Sequence, residues 1–491
     1  MQYEIPHSYD LFIGNEWHRS SSGTTLESIS PLTGEVLCTV PDANERDVAA
    51  AVLAAKGAWR GWYRLGARKR SDALVKLAAA LLADAERFAW LETTDTGKPW
   101  RESHANVLTA ADRLRYFAGA ARTLEGGAFA PGADILSYDI REPLGVVGII
   151  GAWNFPLNMF VGKIAPAIAV GNAVVYKPAE ATPITTLEFA RLAGQHLPPG
   201  VVNVITGAGR GAGLSLVSHP DVRKVSLTGS TATGRAVMAA AAASTKHVTL
   251  ELGGKNAQIV FADADLDRAA QGIALGAFLN QGQMCTSGSR VFVHSSIAAD
   301  LQRRVLDLVP RLRVGNPFDK ATTVGAIAFE RHLQSVLRYI DIGRSEGARL
   351  VAGGARKQVA ELPRGLFLEP TIFTDVLPDM VIAREEIFGP VLTWFTWTDE
   401  DEMLGTVNLL DYGLAAGIWT ENLGRAHRTA AAVEAGRIWI NCYNLFPSGS
   451  AFGGTKASGF GREDAFETLL AFTHVKNVIA DTSAQPRLFY K

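Results

Sequence analysis

The sequence predicts an α/β protein with two parallel-sheet lobes, and three observations lead there. Between residues 145 and 255, the strand-like runs GVVGII, NAVVYKP, VVNVIT, KVSLTG and HVTLELGG alternate with helical stretches near 157–169, 184–196, 211–218 and 233–243. Strands apolar throughout, rather than at every second position, belong to a parallel sheet covered on both faces. A second alternating block runs from Asn256 to about Gly436 and includes NAQIVFADADLD, SRVFVHSSI, ARLVAGG, EPTIFTDV and VLTWFTW. The chain's 491 residues also exceed the size at which a single core keeps growing.

The remaining elements follow from periodicity. From Ala43 to about Leu91, and again from Arg101 to Leu124, apolar residues recur at spacings of three and four, the mark of helices packed on one face. Gly126 to Tyr138 breaks that pattern with glycine and proline, ahead of the strand-like SYDIREPLGVVGIIG. The boundary between lobes is placed at Gly253 to Lys255. In the tail, from about Phe466 to Lys491, THVKNVIA reads as an apolar strand at a chain end that needs a partner strand, which another subunit could supply.

Composition narrows the function. Forty-eight basic and forty-nine acidic side chains leave a formal charge of -1, without a basic run or stripe, so neither nucleic acid nor an anionic membrane is the expected partner. Cys38, Cys285 and Cys442 are widely separated and lack the spacing of a zinc site; they fit a reducing compartment, and no metal is expected. The N-terminal MQYEIPHSYDLFIGNEW lacks the order of an export signal. Polar residues and prolines interrupt the apolar stretch 145–178, which therefore reads as strand, loop, helix and strand rather than a membrane span. A cytoplasmic protein acting on a small molecule is expected.

Several strand ends carry glycine. KVSLTGSTATG places Gly229 and Ser230 between a strand and a helix, where backbone amides and the helix dipole can face a pyrophosphate or simply make a tight turn. VVNVITGAGRGAG ends in Gly207, Gly209, Gly211 and Gly213, with the same two readings, and VVYKPAE sets Lys177 and Glu180 past a third strand, either to hydrogen-bond ribose hydroxyls or as an exposed solvated pair. A carboxylate facing a ribose would repel a 2′-phosphate by roughly 1 to 4 kcal/mol at contact, favouring NAD over NADP. LNQGQMCTSGSR puts Cys285 among small polar residues, whereas an unreactive cysteine usually sits among apolar ones. Glu251 ends a strand in LELGGKN, and Asn154 follows GIIGA in WNFP. A thiolate, a carboxylate and an amide donor are the set that aldehyde oxidation through a covalent intermediate requires.

WNFP, KPAE, GSxxxG, ELGGK, NQGQxC, EEIFGPV and FGGxKxSGxGRE occur in one order along the chain. In these motifs the sequence resembles the NAD(P)-dependent aldehyde dehydrogenase superfamily over essentially its full length, in its broad-specificity, hydrolytic form. The resemblance implies an aldehyde dehydrogenase-like fold: a Rossmann-type cofactor domain (1–124 and 146–253), an α/β catalytic domain (254–440), oligomerisation segments (125–145 and 466–491) and a tunnel and bridging segment (441–465). It implies Cys285 as nucleophile, Glu251 as general base, Asn154 with the Cys285 amide as oxyanion hole, and Lys163 as a further catalytic residue. Ile150, Trp153, Lys177, Glu180, Gly209, Gly213, Gly229, Ser230, Leu252, Glu386 and Phe388 fall on cofactor positions. NAD is the implied cofactor, with NADP less favoured, and a homodimer or homotetramer the implied assembly.

The same resemblance implies a substrate tunnel of Phe155, Met159, Gly162, Phe446 and Phe452, whose apolar walls suit an aliphatic or aromatic aldehyde. Gly162 stands where many members carry tryptophan, and Ala451 replaces a common proline, so a wider tunnel mouth is expected. No arginine adjoins Cys285 in sequence to clamp a carboxylate-bearing semialdehyde, and Arg290 and more distant arginines stay open for that role. Betaine-aldehyde, amino-aldehyde and semialdehyde oxidation remain alternatives within the family. Outside it, a cysteine hydrolase leaves the glycine-ended strands unexplained, and a non-catalytic binding protein leaves Cys285, Glu251 and Asn154 without a purpose.

Overall fold

The computed structural model describes residues 3–484; residues 485–491 of the expected C-terminal segment lie outside the described residues. An eight-stranded sheet forms the first lobe. Its five central strands are parallel and run, in spatial order, Val202–Val204, Ala173–Lys177, Val146–Ile150, Val222–Thr228 and His247–Glu251. The chain winds outward in one direction from Val146–Ile150, then returns and winds in the other. The reversal between Val146–Ile150 and Val222–Thr228 is a topological switch point, and ligands of such sheets bind at the carboxyl ends of the strands there.

The edges of this sheet are antiparallel and come from distant parts of the chain. The hairpin Leu11–Ile13 with Glu16–His18 covers one side. On the other, Gly459–Phe460 pairs with Leu250 and Glu251. The helices expected between 43 and 124 form Glu45–Arg64, Gly66–Ala83, Ala85–Thr96 and Trp100–Ala120. Asn44 begins the first with a capping box that includes Asp47. The fourth packs against Pro156–Ala169, and their interface buries Leu114, Phe117, Phe160 and Ile164 in the main core.

The second lobe is a seven-stranded sheet ordered Arg349–Ala352, Thr371–Thr374, Val391–Trp397, Arg290–His294, Ala257–Val260, Ala415–Trp419 and Arg437–Ile440. All its pairs are parallel except the first. The last two strands were not anticipated from the sequence: AAGIW and RIWI are short and lie between helices.

Two expectations are corrected. Residues 126–138 do not merely interrupt the pattern, because Ala128–Gly132 and Ile135–Pro143 form a hairpin around the glycine turn. The terminal strand Thr473–Asp481 pairs along nine positions with Ile135–Pro143 of the same chain, so one of its edges is satisfied internally. Its sheet begins at Thr473; the preceding helix Phe466–Ala471 and Phe472 join the first lobe, where Leu469 and Phe472 are buried.

Candidate active site

The glycine-ended and polar positions converge at the carboxyl edge of the eight-stranded sheet. Ile150, Lys177 and Glu251 each end a parallel strand, and Gly229 follows a fourth. Asn154 lies in the turn between Val146–Ile150 and the helix Pro156–Ala169, whose Pro156 is suited to a first turn that needs no N–H.

Cys285 approaches from the second lobe. It lies between a short turn at Leu279–Gly282 and the strand Arg290–His294. Asn280 and Gln281 adopt left-handed conformations at φ 48° and 57°, a strained route for non-glycine residues that is characteristic of functional loops. Asn256 Nδ2 holds the Cys285 carbonyl at 2.8 Å and the Ser287 carbonyl at 2.9 Å. Gly254 allows this approach: a Cβ there would lie 2.9 Å from the Cys285 carbonyl oxygen.

Burial pushes the Cys285 thiol up to about 12, and the carboxylates of Glu251 and Glu386 add to the rise. Amides of Thr286 and Cys285 itself act in the opposite direction. The thiol is therefore held neutral near pH 7 by its protein surroundings, and a positive charge brought into the site would favour its ionisation.

Among the described residues, neither carboxylate oxygen of Glu251 has a hydrogen-bond partner. Burial, followed by the negative charge of Glu463, raises its affinity for a proton well above that of an ordinary carboxylate. Gly453 borders the group, since a Cβ there would lie 2.7 Å from Glu251 Oε1. A buried carboxylate with its lone pairs uncommitted is equipped to take a proton from water.

Asn154 Nδ2 donates to the Gln283 carbonyl at 2.9 Å, and Asn280 Nδ2 donates to the same oxygen at 3.1 Å. Beneath Asn154 is an ion pair that sequence reasoning missed. Lys98 Nζ donates to the Asn154 carbonyl at 2.7 Å and to Glu92 Oε1 at 2.8 Å, with both charged side chains fully buried. The lysine also lies 4.1 Å from the Phe155 ring centroid. The stretch TTDTGKPW gives no periodic signal that Lys98 turns inward; only the fold reveals it.

Lys163 lies one layer away from the thiol. It bonds Ser226 Oγ at 3.1 Å and forms an ion pair with Glu463. Its link to Glu251 and Cys285 runs through Glu463, the last residue of FGGxKxSGxGRE, which lines their cavity.

The expected cofactor positions form a continuous rim. Lys177 is buried, with Nζ on the Pro178 carbonyl at 2.9 Å. Glu180 is exposed and accepts from the Gly209 amide at 2.8 Å. The Gly209–Gly213 turn passes close to Lys177, where a Gly213 Cβ would lie 3.5 Å from Lys177 Cε. Gly209 and Gly211 have open space beside them, with the nearest atoms 3.9 and 4.0 Å from a built Cβ. Ser230 caps the helix Thr231–Ala242 through Thr233 N. Gly234 serves packing instead: a Cβ there would lie 2.6 Å from Leu252.

On the facing lobe, Glu386 Oε1 accepts from Gly254 N at 2.9 Å, and burial raises its carboxyl to about 7. Phe388 has φ 58° and packs edge-on against Trp153 with ring centroids 5.2 Å apart. His332 Nε2 donates to the Phe388 carbonyl at 2.7 Å, and its ring joins the same aromatic group. This open cradle of glycine amides, a buried lysine, the exposed Glu180 and the buried Glu386 carboxyl fits a dinucleotide.

Cys285 and Glu251 line one cavity of about 270 Å³ with Phe155, Met159, Gly162, Phe446 and Phe452. All five expected tunnel residues are in its wall. The expected widening at Gly162 is corrected by Arg113, which fills the space: a Cβ on Gly162 would lie 3.2 Å from Arg113 Nη1. Arg290 takes no part, since its guanidinium is tied to the carbonyls of Lys255 and Val407 at 2.9 and 3.1 Å.

Fold and site together define an oxidoreductase-type architecture in which Cys285 and Glu251 share a cavity beside a glycine-lined cradle. The profile of the Aldehyde dehydrogenase family matches residues 17–478, and the chain belongs to that family. It is 40% identical to PnpE from Pseudomonas sp. WBC-3, solved in complex with nicotinamide adenine dinucleotide, at TM-score 0.96 over 98% of this chain and 99% of that one. It is equally 40% identical to an NAD-dependent aldehyde dehydrogenase from Sinorhizobium meliloti, with TM-score 0.96 and coverage of 99% and 96%. Betaine aldehyde dehydrogenase from Staphylococcus aureus, in a complex with NAD+, is 35% identical at TM-score 0.96, with coverage of 99% and 100%.

Proposed function

We propose that the protein oxidises an aldehyde to the carboxylic acid, with NAD as hydride acceptor and Cys285 as nucleophile. The observation that carries this reading is the meeting of Cys285 and the unpartnered Glu251 in one cavity beside the glycine cradle. NAD, when bound, supplies the acceptor for the aldehyde hydrogen. Lys177, Glu180, the Gly209–Gly213 turn, Gly229 and Ser230 would hold its adenosine and pyrophosphate part; Ile150, Trp153, Leu252, Glu386 and Phe388 would hold the remainder. The NAD-containing structures of the relatives support that cofactor.

The thiolate of Cys285 adds to the carbonyl carbon, and negative charge moves onto oxygen. One N–H of Asn154 and the Cys285 amide stabilise that charge, each well-placed donor contributing roughly 2.7 to 4 kcal/mol. After hydride departure the carbon is a thioester on Cys285. Glu251 takes a proton from water, the water oxygen adds to the thioester, and the carbon–sulfur bond breaks to release the acid. Asn256 and Asn280 keep the loop carbonyls around Cys285 fixed throughout.

Phe155, Met159, Phe446 and Phe452 favour an aliphatic or aromatic body between the reacting carbonyl and the far end of the substrate. We also infer a homodimer or homotetramer built through the three-stranded sheet, because Phe129, Val475 and Ile479 on its surface are at least half exposed. On this reading, residues 1–124 with 146–253 bind cofactor, 254–440 carry the nucleophile, and 441–465 close the tunnel.

Incubation with NAD or NADP and a panel of aldehydes tests the function, with absorbance of the reduced cofactor as readout. NAD-dependent turnover abolished by Cys285→Ala supports it; no reduced cofactor from any aldehyde would refute it. Light scattering of the intact protein tests the assembly, and a monomer would exclude it.

A further inference from the structure

We propose that Arg113 is a specificity-determining residue that receives a carboxylate at the far end of the aldehyde. The inference rests on the aldehyde-oxidising function above and names the substrate class of that same tunnel.

Arg113 reaches the cavity from the helix Trp100–Ala120 because Gly162, on the facing helix, has no side chain to exclude it. The guanidinium is held in one orientation. Nη1 donates to the Asn158 carbonyl at 3.1 Å and to its Oδ1 at 3.2 Å, and Nη2 donates to Asp464 Oδ2 at 2.6 Å. Asn158 is itself oriented, with its Nδ2 donating to Asn106 Oδ1 at 3.2 Å. Asn106 Nδ2 then donates to Glu92 Oε1 at 2.9 Å, the oxygen that also receives Lys98. A buried ion pair thereby sets the direction of two amides in series, and the second presents an acceptor to Arg113. Asn106, Asn158, Arg113 and Asp464 all line the tunnel, so its wall has a polar side that the sequence did not suggest.

The charged groups lining the cavity are Arg113, Asp464, Glu463 and Glu251. Arg437 lies 5.7 Å from the Phe446 ring centroid and 5.8 Å from that of Phe452, behind the apolar wall. Asp464 is ion-paired with Arg113 and also feels the charges of Glu463 and Arg437. Deeper in, Lys163 and Glu463 form a neutral pair. Asp112 is exposed and bonded to Ser448 outside the tunnel lining. A guanidinium has five N–H donors, and its planar fork suits a carboxylate better than an alkyl end. Because Arg113 and Cys285 share one cavity, a single molecule can present its aldehyde to the thiol and its acid group to the arginine.

The test compares 5-oxopentanoate with pentanal, which share a carbon count and differ at the far end. For the native protein, kcat/KM should favour 5-oxopentanoate at least tenfold, and Arg113→Met should lower that ratio at least tenfold, chiefly through KM. Arg113→Lys should retain part of the preference. Glutarate should compete with pentanal for the native protein, which provides a readout even if the methionine variant fails to fold. Preference for pentanal, an unchanged ratio in Arg113→Met, or no inhibition by glutarate would overturn the assignment. Turnover of pentanal with no preference refutes Arg113 alone, whereas no turnover of any aldehyde refutes the underlying function.

Discussion

Lys98 and Asn154 are joined by a 2.7 Å hydrogen bond from the buried ammonium to the backbone carbonyl of the asparagine. The bond fixes the turn that carries the Asn154 amide, and the same ammonium neutralises Glu92. Lys98→Met leaves Glu92 buried without its counter-charge. Loss of one partner of such a pair costs about 3–5 kcal/mol, so the variant should melt at clearly lower temperature or denaturant concentration. An unchanged denaturation midpoint would show that the pair contributes nothing to stability.

Asn154→Ala removes the N–H that the proposed mechanism assigns to the developing oxyanion, while leaving Lys98 its carbonyl acceptor. The expected loss in kcat is roughly 10² to 10³-fold, measured by NADH formation, with little change in the melting temperature. A loss below about threefold would place the oxyanion elsewhere.

Glu251→Gln should separate the two halves of the reaction. The thioester can still form, so rapid mixing should show one equivalent of NADH followed by a stall. Steady turnover at the native rate would remove Glu251 as the base for hydrolysis.

The pH dependence of hydrolysis should report on Glu463. Burial and the Glu463 charge raise the pKa of Glu251, so its basic form, and with it the rate, grows as pH rises through that raised value. Glu463→Gln removes the repelling charge and leaves Lys163 unpaired nearby, and both changes favour ionised Glu251. The acid limb of kcat should therefore move to lower pH; a shift to higher pH would contradict the electrostatic origin of the rise.

Cys285 should react slowly with iodoacetamide at neutral pH in the absence of cofactor, because burial and two carboxylates hold the thiol up to about 12. Glu386→Gln removes one of these charges, lowers the pKa, and should speed alkylation at a fixed pH. Equal rates in the two proteins would exclude Glu386 as an influence on the thiol.

Much of this site was legible because it lies where sequence patterns are strong. Cys285, Glu251 and Asn154 each adjoin a strand or turn whose residues mark it, and the alternation of apolar runs identified the parallel sheets. The reading stopped at groups recruited across the fold. Arg113 lies on an amphipathic helix, where arginine ordinarily faces solvent, and its inward turn depends on Gly162, almost fifty positions later. Lys98 is similarly hidden, because burial of a lysine depends on Glu92 and the Asn154 carbonyl meeting it. The terminal strand was visible from its apolar residues, but its register with Ile135–Pro143 spans more than three hundred residues and has no local signature.

The pairing of Gly459 with Glu251 has an evolutionary consequence. Phe446, Phe452, Glu463 and Asp464 belong to the connection that reaches this pairing and passes beyond it. The segment that walls the cavity is thus sewn into the sheet that carries Glu251. Exchange of the whole segment between relatives would risk misplacing Glu251, so new substrate ranges are more readily acquired by single replacements at Arg113 or Gly162, on helices that leave that seam intact.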